Sequence, residues 1–332
     1  MKYIKNDSND PYYNMAFEEY IVKFLDPKHE YFLLWQNSPT VVIGRNQNTI
    51  EEVNLDFTKN NNIAVVRRLS GGGAVYHDLG NINFTYVVDY TKEDFNSIER
   101  FAQAIIKALE KLGVKAEFTG RNDITVNGKK ISGNAQYLSK GRLLHHGTIL
   151  FDSDLGVLSK ALKVKKQKII SKGIKSVSSR VTNIKQCLKE DITIDHFKEL
   201  IARFIFEVEG SDLDEYKLSQ KDIVNIRRLR AEKYSRWEWN FGHSPEFNLS
   251  CSRRFAGGHI DSKLNVKDGI ITEIKFYGDF MSIKDIAEVE VKLKGSRFTE
   301  QDVINKLSDL SMREYFGLIT VDQLLDVIFC RK

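Results

Sequence analysis

From Tyr12 to Leu25 apolar residues return at helical spacing behind Asp10-Pro11, which supplies a capping carboxylate and a proline at the first helical position. The chain then changes period. Tyr31 to Trp35 and Thr40 to Gly44 are short apolar runs around the turn residues Asn37-Ser38-Pro39, so both read as strands before a polar Arg45-Asn46-Gln47-Asn48 loop. Ile63 to Val66 is β-branched, and Asn81 to Val88 alternates polar with apolar. Between Ile98 and Leu112 the 3.6-residue period returns, and Gly113 ends that helix. Two alternating runs meet at Asn127-Gly128, the dipeptide best suited to a two-residue hairpin turn. That turn predicts the pairs Val126 with Lys129, Thr125 with Lys130, Ile124 with Ile131 and Asp123 with Ser132.

Farther on, Leu143 to Phe151 reads as a strand and Ser159 as the cap of a short helix through Leu162. Ser171 to Asn183 reads as a polar loop. Helices follow over Ile194 to Phe206 and Ser219 to Tyr234, and turn residues between Trp237 and Asn248 suit a domain junction. Beyond Cys251 the pattern predicts strands at Gly258 to Val266, Gly269 to Tyr277 and Ala287 to Leu293, with helices near Glu300 to Leu307 and Thr320 to Phe329. The division expected is a domain over residues 1–244 and a smaller one over 250–332.

Composition narrows the class of partner. A net charge of +5 on 332 residues is mild, and only Lys163-Val164-Lys165-Lys166-Gln167-Lys168 approaches a basic stripe, so no nucleic-acid partner is expected. No apolar run approaches a membrane span and the start lacks a signal-peptide pattern, which predicts a cytoplasmic protein without a membrane partner. Cys187, Cys251 and Cys330 are odd in number and lack CxxC spacing, which argues against both a disulfide framework and a zinc site.

The candidate chemistry centres on Arg67-Arg68-Leu69-Ser70-Gly71-Gly72-Gly73-Ala74-Val75-Tyr76-His77-Asp78. Glycine N–H groups can converge on an anion, and a guanidinium fork matches carboxylate and phosphate. The stretch is neither a Walker loop, since no Gly-Lys-Ser/Thr follows, nor a Rossmann fingerprint, since no helix opens after it. A plain hairpin would carry Asn or Asp at the turn, so the arginines favour an acidic ligand. Neighbouring strand residues point oppositely, so one of the two arginines enters the pocket, and Arg68 is the choice. Lys130 shares the polar hairpin face with Asp123, Thr125 and Ser132, and its ammonium can follow charge as it moves. His145 and His146 alternate to opposite faces and cannot share one metal ion, so a single hydrogen-bonding histidine is expected from this pair.

The glycine string, with Asn14 to Glu19, Ile43 to Asn48, Gly80 to Asn83, Gly120 to Asp123, Lys130 to Ala135, His145 to Thr148 and Ser179 to Asn183, resembles the lipoate-protein ligases, and the C-terminal part resembles their accessory domain. The resemblance implies an α+β fold: a mixed sheet flanked by helices, similar to the cores of biotin protein ligases and class II aminoacyl-tRNA synthetases, plus a small α+β C-terminal domain. It implies activation of lipoate by ATP and Mg²⁺ to lipoyl-AMP. Transfer then follows to a lysine of the lipoyl domains of 2-oxoacid dehydrogenase E2 subunits or of glycine-cleavage H protein. By the same resemblance Lys130 is the catalytic residue. Nucleotide or lipoyl-AMP contacts fall to Arg68, Ser70, Gly71, Gly72, Gly73, Ala74, Val75, Tyr76, His77, Asn83 and Asp123, and lipoate contacts to Lys130 and His146. Asp123 holds either Lys130 or a magnesium ion. Lys172 to Arg180 is expected to fold over the adenylate. Two alternatives stand beside this reading: an octanoyl- or lipoyltransferase of the same fold with Cys187 as nucleophile, and a non-catalytic lipoyl-adenylate binding protein.

Overall fold

The computed structural model describes residues 1–91, 98–120, 122–162, 180–208, 213–241, 249–267 and 269–331, apart from the side chains of residues 50 and 51. Helix α1 (Pro11–Phe24) begins where Asp10 accepts from the Tyr12 and Tyr13 N–H groups, a cap worth about 1 kcal/mol. Its residues from Asn14 to Val22 are buried, so it serves as a wall of the interior rather than a surface helix.

Two mixed sheets make the large domain. The first has seven strands in the order β1 (Lys2–Tyr3), β2 (Tyr31–Trp35), β6 (Asn81–Asp89), β10 (Arg142–Leu150), β9 (Lys129–Ser139), β8 (Asp123–Val126) and β7 (Glu117–Thr119). The second has three, β4 (Ala64–Arg67), β3 (Thr40–Ile43) and β5 (Val75–His77). In the first, only β1 and β2 run parallel; in the second, β3 is parallel to β4 and antiparallel to β5.

Alternation in β2 explains the layering. Phe32 and Leu34 join Phe84, Tyr86 and Ile149 beneath the helices Ile98–Lys111 and Ile194–Phe206. Leu33 and Trp35 face the other way, where α1 packs with Leu144, Val42 and Val66. Val42 and Val66 bring the small sheet over this second face, so a cleft opens between the two sheets.

A separate core draws only on residues 249–329. Strands β11 (Leu249–Phe255), β12 (Gly258–Lys267) and β13 (Ile270–Gly278) form an antiparallel meander, packed against the helices Ala287–Leu293, Glu300–Leu307, Met312–Phe316 and Val321–Ile328. The mixed sheets flanked by helices and the small C-terminal domain agree with the expected fold class.

Four expectations require correction. Ala287–Leu293 is a helix, not a strand: Val289, Val291 and Leu293 alternate, yet Val291 is 74% exposed while Val289 and Leu293, four apart, are buried. The helix Leu155–Ala161 starts at Asp154, which accepts from the Gly156 and Val157 N–H groups; Ser159 lies inside it. Cys251 and Cys330 form a disulfide, because β11 and the last helix pack side by side and bring residues 79 apart in sequence to a Cα–Cα distance of 5.6 Å. The Asn127-Gly128 hairpin keeps Val126 with Lys129 and Thr125 with Lys130, but a bulge then sets Ile124 opposite Ser132 and Asp123 opposite Gly133. The run at residues 163–168 and the junction residues 242–248 lie outside the described residues. Among the described residues no helix is long and apolar enough to cross a membrane.

Candidate active site

The cleft between the sheets is lined by α1, β2, β3, the glycine loop, β5, β6, β10, β9 and Lys130. Of the residues expected there, Arg68, Gly72, Gly73, Ala74, Val75, His77, Asn83, Lys130 and His146 line it together. Val75 and His77 share one face of β5 and Tyr76 takes the other, where it packs with Val41, Ile43 and Val65.

Arg67 and Arg68 diverge as strand geometry requires. Arg67 points behind the loop to the carbonyls of Gly44, Arg45, Gln47 and Trp239. Arg68 reaches the cleft with each of its nitrogens engaged: Nε donates to Ser70 Oγ at 3.1 Å, Nη1 to the Val42 carbonyl, Nη2 to those of Gly71 and Gly73. Arg68 therefore clamps the loop while its charge faces the cleft. Burial pulls its pKa down to about 10, so it stays cationic at neutral pH.

The loop differs from an open nest of N–H donors. Gly72 alone of its three glycines has a positive φ, 93°, and its N–H donates to the Phe280 carbonyl at 3.1 Å. A Cβ on Gly71 would come within 2.9 Å of that same carbonyl oxygen, so glycine lets the C-terminal domain lie against the loop. Asn46 Nδ2 donating to Ser282 Oγ at 2.8 Å and an Arg45–Asp285 ion pair continue this interface.

Lys130 sits at the hairpin end of the cleft. Its backbone pairs with Arg180 and Thr182, and its Nζ lies 2.7 Å from Asp123 Oδ1. The pair is a close charge contact without hydrogen-bond alignment, since that buried oxygen has no aligned donor among the described residues. A Cβ on Gly133 would approach Nζ to 2.9 Å, so Gly133 keeps the path of the lysine clear. Of the segment expected to close over an intermediate, residues 172–179 lie outside the described residues.

Behind the loop runs a buried relay that the residue pattern did not reveal. Glu18 lies 3.0 Å from His146 Nδ1, and His146 Nε2 lies 2.6 Å from Ser70 Oγ. Thr85 donates to the same carboxylate at 2.6 Å and accepts from Trp35 Nε1. His146 thus braces Ser70, and Ser70 braces Arg68. His145 faces the opposite side, fully buried beside Gln136 and Asn134, and its pKa is held well below the usual imidazole value by desolvation first and then by His146. Met15, Trp35, Val42 and Ala135 complete an apolar end to the cleft. They come from four elements, so no local motif could have grouped them.

Cys187, the cysteine outside the disulfide, is half-buried against the first core and does not line the cleft. Among the described residues no group of three His, Cys, Asp or Glu side chains could hold a metal ion.

The family model described as the lipoyl protein ligase A/B catalytic domain matches residues 10–206, and that of the bacterial lipoate protein ligase C-terminus matches 244–328. The lipoate-protein ligase LplJ of Bacillus subtilis is 47% identical over 331 residues, covering 99% of this chain and 100% of that protein. Lipoate–protein ligase 1 of Staphylococcus aureus is 43% identical, covering 98% and 99%. Among solved structures, Plasmodium falciparum LipL1 in complex with lipoate has the same fold, with a TM-score of 0.81 at 22% identity over 98% of both chains. A lipoate-protein ligase A bound with ATP superposes with a TM-score of 0.62 at 30% identity, covering 73% of this chain and 98% of that one.

Proposed function

The chain belongs to the lipoate-protein ligase family, and on that premise we propose that the cleft between Lys130 and the glycine loop joins lipoate to AMP and passes the acyl group to a protein lysine. In the first half-reaction a carboxylate oxygen attacks the α-phosphorus of ATP; the bond to the β-phosphate oxygen breaks and pyrophosphate leaves. In the second, a lysine amine attacks the acyl carbon of the mixed anhydride, loses a proton, forms the amide and releases AMP.

Two anions meet in the first step, so catalysis depends on positive charge placed where negative charge gathers. Lys130 supplies it as a mobile point charge held by Asp123, bonding the carboxylate and an α-phosphate oxygen. Arg68 supplies it as a fixed charge under Gly71 and Gly73. Gly73 to Val75 border the nucleotide, and His146 and Ser70 hold Arg68 in place. Magnesium carried by the triphosphate would neutralise phosphate charge, and Asp123 would hold either Lys130 or that ion. The acceptor is a lipoyl domain of a 2-oxoacid dehydrogenase E2 subunit or glycine-cleavage H protein. A solved structure of a bipartite lipoate protein ligase and its E2 lipoyl domain from Thermoplasma acidophilum, 31% identical to this chain, supports that reading.

The observation that carries this reading is the common cleft shared by Lys130, Arg68 and Gly72–Gly73. Its test is lipoate-dependent exchange of labelled pyrophosphate into ATP, followed by transfer to an added lipoyl domain. A cysteine-based transferase would show no exchange and would fail as Cys187→Ser; full ligation by that variant is expected.

A further inference from the structure

One buried ring nitrogen beside the cleft has no partner among the described residues. His77 Nε2 is buried and makes no hydrogen bond among the described residues, although the ring lines the cleft beside Trp35, at a centroid distance of 6.3 Å. Its tautomer follows from its neighbours. Asn14 Nδ2 donates to Asn37 Oδ1 at 2.9 Å, which leaves Asn37 Nδ2 to donate to His77 Nδ1 at 3.2 Å. Nδ1 is therefore an acceptor, and the proton resides on Nε2. Burial, with Arg68 and His146 nearby, holds the pKa down to about 3, so the ring is neutral at any working pH.

Its place along the cleft says what it meets. Lys130 is the second residue of β9, and from there the sheet order runs through β10 and β6 to β2, which carries Trp35. Three strand spacings amount to roughly 14 Å. A ligand whose carboxylate lies at Lys130 thus turns its far end toward Trp35, Met15 and His77. In lipoate that end is a five-membered ring with two adjacent sulfurs. Sulfur is a weak acceptor and highly polarisable; methylene and methyl groups accept nothing.

Resting on the ligase reading above, we propose that His77 Nε2–H donates to the ring sulfur and thereby makes the cleft prefer lipoate to the all-carbon eight-carbon acid, octanoate. With octanoate the donor stays buried and unpaired, which costs affinity at that end alone. His77 is a specificity-determining residue in this scheme; Asn37 is a positioning residue that fixes its proton.

Initial rates of adenylate formation with lipoate and with octanoate, for the wild type, His77→Phe and His77→Gln, test the assignment. The wild type is expected to favour lipoate. His77→Phe should lower kcat/KM for lipoate about five- to tenfold, through KM, and leave octanoate within about twofold. His77→Gln, whose amide can donate from a similar point, should recover part of the preference. Equal loss for both acids, or an unchanged ratio, overturns the proposal. Should the variants fail to fold, the ¹⁵N shift of His77 Nε2 in the wild type decides. It moves with lipoate and not with octanoate if the assignment holds, and responds identically to both if it does not. Failure of the wild type to activate either acid would instead refute the ligase reading.

Discussion

The two ends of the cleft are built on opposite principles. At the hairpin end Lys130 and Asp123 face each other with about a third of each side chain exposed, 34% and 35%, so the pair stays in contact with water although the Asp123 oxygen nearest the ammonium is buried. At the apolar end, Glu18 is 4% exposed and His146 10%, and His77 lies among Trp35, Met15 and Val42. Charge that must follow a moving electron pair is left solvated and adjustable. Groups that hold shape are sealed and hydrogen-bonded, where an unpaired polar atom is costly. Arg68 joins the two regimes, a buried cation that donates to Ser70, Gly71 and Gly73 of the loop and to Val42 of β3.

The comparison predicts a split between rate and stability. The largest effect falls at the hairpin end: Lys130→Ala should reduce lipoate-dependent pyrophosphate exchange by roughly 10²–10³-fold or more, since it removes the charge that acts on the reacting oxygens. Its melting temperature should stay close to wild type, as a third-exposed side chain on a solvated hairpin contributes little. A variant that keeps its exchange rate, or one that unfolds, would erase the contrast.

Arg68→Met should lose on both counts. The carbonyls of Val42, Gly71 and Gly73 would lose their donor, for a cost of roughly 2–4 kcal/mol, and exchange should fall by about 10²-fold. Calorimetry beside the exchange assay reads both. A loss of rate with unchanged stability would make Arg68 a plain ligand contact and not the clamp described.

How legible each end was in the residue pattern follows the same division. The hairpin end lies in two contiguous strings, Arg67 to Asp78 and Asn122 to Ser132, so glycine runs, arginines and Asn-Gly announce it. Strand alternation also required that only one of Arg67 and Arg68, and only one of His145 and His146, enter the cleft, and Arg68 and His146 are the ones that line it. The apolar end is assembled from α1, β2, β3 and β9, and Glu18 looks from its neighbours like one more helical carboxylate. Only tertiary packing, 128 residues across the chain, sets it against His146. The hairpin bulge, the Ala287–Leu293 helix and the Cys251–Cys330 bridge were hidden for a related reason: in each, packing outweighs the local period or spacing.

Glu18→Gln probes the sealed end with a smaller change. The amide can accept from Thr85 or from His146 with its oxygen, but its NH₂ group faces a donor. Stability should drop by about 1–2 kcal/mol and exchange by no more than about tenfold, since no reacting atom is touched. A loss matching that of Lys130→Ala would move Glu18 into the chemistry itself.

The subtlest expectation concerns acid. In the folded chain His77 takes a proton only near pH 3, whereas the unfolded chain takes it near 6.5. Below 6.5 the unfolded state binds more protons, so stability is fully present above that pH and declines as pH falls toward 3. Between pH 6.5 and 5 one such histidine accounts for about 2 kcal/mol, and His145 adds in the same direction. Carboxylates titrating over this range contribute equally to variant and wild type, so the useful quantity is the difference between them. Melting temperatures at pH 7 and pH 5 should fall by a few degrees less in His77→Phe than in the wild type, while Lys130→Ala, altered only where water already reaches, should follow the wild-type slope. Parallel slopes for all three proteins would mean that His77 gains its proton freely in the folded state, and the sealed end would no longer differ from the solvated one.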